Sequence, residues 1–150
     1  MRYVGKLVGL LVVIVAACGD DSRFLLSEPE GLNPARLEYF GDPARISVPS
    51  SAAVGEPFVI SIETYGSGCI KPGPTPVKLL GGRLEVRPLD EFPAPDATCS
   101  QDLRLNDHSV TYSVDTAMTL EVAVRGVRVS EKGVEDLILT REVVVGSGSG

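Results

Sequence analysis

The chain has a single histidine, His108, and it sits among carboxylates: Asp107 precedes it, Asp102 is close behind, and Asp90, Glu91 and Asp96 occupy the preceding stretch. An imidazole beside a carboxylate serves two chemistries, activation of a nucleophile and binding of a metal ion. A hydrolytic triad also needs an activated Ser or Cys, and none of the serines stands in a Gly-x-Ser-x-Gly elbow. A type 1 copper site takes two His, one Cys and usually a Met. Cys99, His108 and Met118 occur in that order, but the second His is absent and the spacings are long. Calcium requires a dense Asp/Asn series, and Asn106-Asp107 beside Asp102 is too thin. Gly66-Ser67-Gly68 lacks the further Gly, the Lys-Ser/Thr pair and the following helix of a phosphate cradle. No catalytic residue, metal site or cofactor is therefore expected, and His108 reads as a surface residue entering a strand.

The cysteines carry a different chemistry. Cys18 closes the segment MRYVGKLVGLLVVIVAAC, in which Arg2 and Lys6 supply a positive start. Leu7 to Ala17 is an apolar run interrupted only by Gly9, and Val15-Ala16-Ala17 puts small residues just before Cys18. The run is too short to cross a bilayer comfortably and has the flanks of an export signal. An aliphatic residue, two small residues and Cys resembles the lipobox of bacterial lipoprotein precursors. The resemblance implies that residues 1–17 are a signal peptide and that Cys18 is lipidated and becomes the first mature residue. The chain would then be held in the bacterial cell envelope by its membrane anchor. In Gram-negative proteins of this kind, Asp directly after the lipidated Cys favours the inner membrane. Gly19 stands there instead, which implies the outer membrane, on its periplasmic or surface face.

With Cys18 assigned to lipid, Cys69 and Cys99 remain as an even pair in an oxidising compartment, where such pairs normally form a disulfide. On the chain-entropy model, closing a loop of about 30 residues contributes roughly 3–4 kcal/mol. The alternative is a metal site using both sulfurs. It would need further ligands, such as CxxC pairs or several His, and neither cysteine has a second Cys close by.

Charge narrows the partners. The full chain has 14 Lys plus Arg against 20 Asp plus Glu, a net −6. Removing residues 1–17 takes away Arg2 and Lys6 and no acid, which leaves 12 against 20, or −8. That balance argues against nucleic acid and against a basic patch on anionic lipid. The remaining length suits one domain with one core.

The elements that position these residues read as strands. Residues 19–43 mix Pro, Gly and acids with scattered apolar residues and are expected to form a spacer, with a short helical turn around Pro34 to Tyr39. From Ala44 to Val145 the apolar period is two. Ile46 and Val48, then Phe58, Ile60 and Ile62, then Leu84 and Val86, then Val110, Tyr112 and Val114, then Leu120, Val122 and Val124 each share a face. The phase flips to Val127 and Val129, which predicts a bulge or bend at Gly126. Ser130 to Gly133 is a hairpin turn, Leu137 to Val145 the last strand, and GSGSG (146–150) a flexible tail.

About seven short strands without interleaved helices predict an all-β fold, two antiparallel sheets packed face to face. The stretch VPSSAAVGEPFVISI (48–62) resembles the opening of bacterial immunoglobulin-like and fibronectin-III-like domains, where Gly-x-Pro-hydrophobic begins the second strand. The resemblance implies an immunoglobulin-like β-sandwich over 44–145. The chain departs from antibody-type domains in having no Trp and in placing Cys69 after its strand, so the bridge would tie loops together at one end. Two functions follow as expectations. The first is a non-catalytic, membrane-anchored binding or structural module with an envelope protein partner. The second is a metal-handling or enzyme-accessory protein using His108 and nearby carboxylates.

Overall fold

The computed structural model describes residues 31–146; the expected signal peptide, Cys18, the spacer up to Glu30 and the tail beyond Gly146 lie outside them. Regular structure among the described residues is strand throughout. The strands are β1 (Leu32–Pro34), β2 (Arg36–Tyr39), β3 (Arg45–Ser47), β4 (Ser51–Ala53), β5 (Phe58–Gly66) and β6 (Lys71–Pro72). They continue with β7 (Val77–Leu80), β8 (Arg83–Val86), β9 (Leu89–Glu91), β10 (Arg104–Tyr112), β11 (Met118–Ser130) and β12 (Gly133–Gly146).

Two sheets make a β-sandwich. One runs β10-β5-β3, and the other runs β4-β12-β11-β8-β7 with β2 beside β11. The alternating positions of β5, β8, β10, β11 and β12 meet between them: Phe58, Ile60, Ile62 and Val110 from one side, Leu84, Val86, Leu120, Val122, Val124, Val143 and Val145 from the other. Burying each such side chain contributes roughly 1.5–3 kcal/mol, and this drives the two sheets together. The outer face of the larger sheet is charged instead. Arg125 Nε lies 3.8 Å from Glu85 Oε1, and Arg83 Nε lies 3.1 Å from Glu121 Oε1, near as charges though not aligned as a hydrogen bond.

A third, small sheet, β1-β9-β6, links the other two. Its strand β9 belongs to a long hairpin. Residues 71–80 run antiparallel to 83–91 around Gly81-Gly82, from Lys71 opposite Glu91 to Leu80 opposite Arg83. Between them Gly73 N–H donates to Leu89, and Pro74 and Pro76 accept from Leu89 and Arg87. Prolines at 72, 74 and 76 suit an edge position, where a missing N–H breaks no second ladder.

Three expectations change. Residues 31–43 are part of the domain: Ala35 and Leu37 are fully buried, and the stretch around Pro34 to Tyr39 is strand where a helical turn was expected. Leu37 joins the main core, which a spacer residue would not. The sandwich is not wholly antiparallel, since β8 and β2 both pair with β11 in parallel, as does β4 with β12. Finally, β11 pairs with β12 without a break from Met118↔Val145 to Ser130↔Gly133, so Gly126 makes no bulge there. The irregularity lies in the pairing with β2, between Val127 and Arg128. Gly126 instead makes room: a Cβ on it would fall 2.5 Å from the Ala35 carbonyl oxygen and 2.6 Å from Leu37 Cγ.

Candidate functional site

The period-two alternation of β10 runs further back than its apolar residues. Val110 faces inward, so His108 and Asn106 do too, and both are buried. The same rule on β5 sends Thr64 inward behind Ile62. In register, Asn106 lies opposite Thr64 and His108 opposite Ile62. The small sheet then lays Asp90, fully buried on β9, against this polar corner.

Asp90 is the hub. Thr64 Oγ1 lies 3.0 Å from its Oδ2 and 3.3 Å from its Oδ1, Asn106 Nδ2 is 3.2 Å from Oδ1, and His108 Nε2 is 3.1 Å from Oδ1. On the other side of the ring, His108 Nδ1 is 2.9 Å from Thr75 Oγ1. With Asp90 ionised its oxygens only accept, so Nε2 must donate. A neutral ring then accepts the Thr75 hydroxyl proton at Nδ1, and a protonated ring donates to Thr75 instead. Either form is satisfied. A carboxylate out of water is costly unless several donors converge on it, and here three do.

Thr75, His108 and Asp90 are thus in line as a hydroxyl, an imidazole and a carboxylate, the order of roles in a nucleophilic triad. Thr75 is half-buried between Pro74 and Pro76, whose carbonyls are held by the 83–91 arm, and the two other members are sealed from solvent. The arrangement orients the hydroxyl and fastens three elements, β5, β9 and β10, to the 71–80 arm.

The remaining residues singled out in the sequence lie elsewhere. Glu91, Asp96, Asp102 and Asp107 are exposed, so Asp90 alone of the carboxylates around His108 meets the ring. The expectation of a surface histidine fails because His108 stands in phase with the core. Asp102 takes hydrogen bonds from Ser100 and Arg104, which hold its carboxyl below the usual carboxylate range, the Ser100 hydroxyl most of all. Met118 is half-buried against the main core, and among the described residues no group of three His, Cys, Asp or Glu is placed to hold a metal. Cys69 and Cys99 are bonded, with Cα atoms 5.5 Å apart, between the loop after β5 and the loop before β10. The bridge therefore clips the same end of the sandwich that Asp90 fastens from within.

That end also carries an aromatic row. Tyr39 meets Phe40 edge-on at 4.8 Å between ring centroids and stacks on Tyr65 at 6.1 Å, whose hydroxyl donates to the Pro43 carbonyl at 2.8 Å. The Arg36 guanidinium lies 5.9 Å from the Tyr39 ring centre and 5.1 Å from that of Phe92. Four of the chain's eight aromatic residues meet here. Phe40 is 57% exposed and has φ +46°, followed by Gly41 at +95°, inside a tight turn closed by Tyr39 and Asp42. Turns with both central residues at positive φ favour Asn-Gly, and a bulky residue in the left-handed region costs about 1–2 kcal/mol. Such strain in a protein tends to mark a working surface.

Comparison with protein-family models, with characterised proteins and with solved structures finds no match to this chain.

Proposed function

We propose that this protein is a lipid-anchored, non-catalytic bacterial envelope module, held through Cys18, whose immunoglobulin-like β-sandwich presents one rigid end for binding. The observation that carries the reading is the Asp90 cluster. Its donors and acceptors satisfy one another inside the fold and brace the disulfide-clipped end, leaving surface loops and aromatics as what that end offers outward. The facing sheets, with β5 beside β10 and the β11–β12 hairpin opposite, support the immunoglobulin-like assignment, and the parallel β8–β11 pair is this chain's own departure from it. The lipobox-like segment supports the anchor, and Gly19 the outer membrane.

The competing reading is metal handling through His108. Metal analysis of the purified protein together with His108→Ala separates the two. The binding-module reading expects no stoichiometric metal in the native chain and, in the variant, lost stability with unchanged membrane attachment. A stoichiometric metal released by His108→Ala would replace it with the metal reading.

A further inference from the structure

We propose that two copies of this protein pair through the outer edge of β12, antiparallel about a two-fold axis at Ile138, so that their larger sheets join into one. The pairing needs no anchor at Cys18. β11 covers one side of β12 along its whole length, whereas on the other side β4 reaches only Val144 to Gly146. Among the described residues no strand lies beside Val134 to Glu142 on that side. The Val144 N–H donates to the Ser50 carbonyl at 3.0 Å, and the Gly146 carbonyl accepts the Val54 N–H at 2.9 Å, so the even-numbered residues aim their backbone groups outward. By alternation Val134, Asp136, Ile138, Thr140 and Glu142 present N–H and C=O groups along a bare edge. The stretch holds no Pro, Gly or bulge to blunt it.

Length and charge select the same register. The bare stretch is bounded by β4 at one end and by the Ser130–Gly133 turn at the other, and Ile138 is its midpoint. A two-fold there uses the whole stretch and sets Glu135 opposite Arg141 of the second copy, twice, with Leu137 opposite Leu139 and Ile138 opposite itself. The odd-numbered pairs are the closely spaced ones, where side chains across a seam meet best. Moving the axis to Leu137 puts Glu135 against Leu139 and Arg141 against Gly133; moving it to Leu139 puts Asp136 against Glu142. Within one copy Arg141 lies opposite apolar Val122, and its guanidinium reaches the edge, donating to the Thr140 carbonyl at 2.8 Å. Glu135 lies opposite Arg128, which Glu38 already engages. Arg141 is in phase with buried Val143 and Val145, and a charge so placed keeps foreign strands off an edge. A second copy answers it with Glu135. Leu137 and Leu139, partly buried against the core, and Ile138, 44% exposed, lose water at the seam. On the outer face Asp136 meets the Thr140 hydroxyl, and Glu142 stands at the two ends of the seam.

Ile138→Cys tests the axis. The two introduced cysteines would stand about 5.5 Å apart at Cα, within disulfide reach. Those of Thr140→Cys would be offset by four positions along the seam, roughly 13 Å, and out of reach. Intact cells producing the full chain are treated with a mild thiol oxidant, and the chain is resolved without reductant. The Ile138→Cys chain should form a disulfide-linked dimer and the Thr140→Cys chain should not. Adding Arg141→Glu to Ile138→Cys should slow dimer formation about tenfold. Adding Glu135→Arg as well should restore it, which a merely misfolded chain could not do. No dimer, equal dimer from the two cysteine variants, a dimer indifferent to Arg141→Glu, or a failure of Glu135→Arg to restore it overturns the proposal. A cross-link to a protein of different mass would assign the edge to a foreign strand and overturn it as well.

Discussion

His108 Nε2 lies 3.1 Å from Asp90 Oδ1, with neither side chain more than 1% exposed. This pair joins β10 to β9, and with Thr64, Asn106 and Thr75 it sets how the small sheet and the 71–80 arm sit on the sandwich. His108→Ala takes one of three donors from the buried Asp90 and empties the space of the ring, and should cost about 2–4 kcal/mol in urea unfolding. Thr75→Val removes one neutral hydrogen bond at the edge and should cost only about 1 kcal/mol. Equal losses from both would mean that the carboxylate does not need the ring.

Cys69–Cys99 closes a loop across 30 positions of sequence. Cys69→Ser with Cys99→Ser should lower stability by roughly 3–4 kcal/mol, mainly by freeing the unfolded chain. Thiol titration of the native, unreduced protein should find neither cysteine reactive. Free thiols at both positions would contradict the bridge.

Gly126→Ala should destabilise by about 1–3 kcal/mol, because the new methyl meets the Ala35 carbonyl and the buried Leu37 together. The loss should shrink in a Leu37→Ala background, since the two positions share one space. Strict additivity in a thermal unfolding series would argue against that shared space.

Phe40→Asn exchanges an edge-on contact with Tyr39 for a residue at ease in the left-handed region. The two effects are of similar size, so stability should hold level or rise by up to about 1 kcal/mol. A loss above about 2 kcal/mol would place Phe40 in the core's service.

Ser100 and Arg104 lower the Asp102 pKa relative to the unfolded chain. The folded carboxylate therefore adds stability above the ordinary aspartate range, and that contribution fades as pH falls through the depressed folded value. Asp102→Asn should flatten the acid limb of the stability profile below about pH 4, and only slightly, since the group is exposed. A change confined to neutral pH would contradict the assignment.

The sandwich was legible wherever apolar residues alternate over enough length, as in Phe58, Ile60 and Ile62 or Leu120, Val122 and Val124. The polar hub was legible only by phase. His108 and Asn106 share the parity of Val110 and Tyr112, and Thr64 that of Ile62, but a pattern counted by hydrophobicity stops where the inward residue turns polar. Leu37 escaped because β2 is four residues long and its single deep residue sets up no period. The parallel partners of β11 and β12 are short, and nothing in their own residues says which strand they join. Phe40-Gly41 lacks the Asn or Asp that announces a left-handed turn.

Attachment through Cys18 underlies the proposed function, and the intact mass of the protein extracted from the envelope fraction tests it. A mature chain beginning at Cys18 and carrying lipid on that residue is the expected result. A chain that keeps residues before Cys18, or that begins there with an unmodified thiol, would contradict a lipid-anchored envelope module.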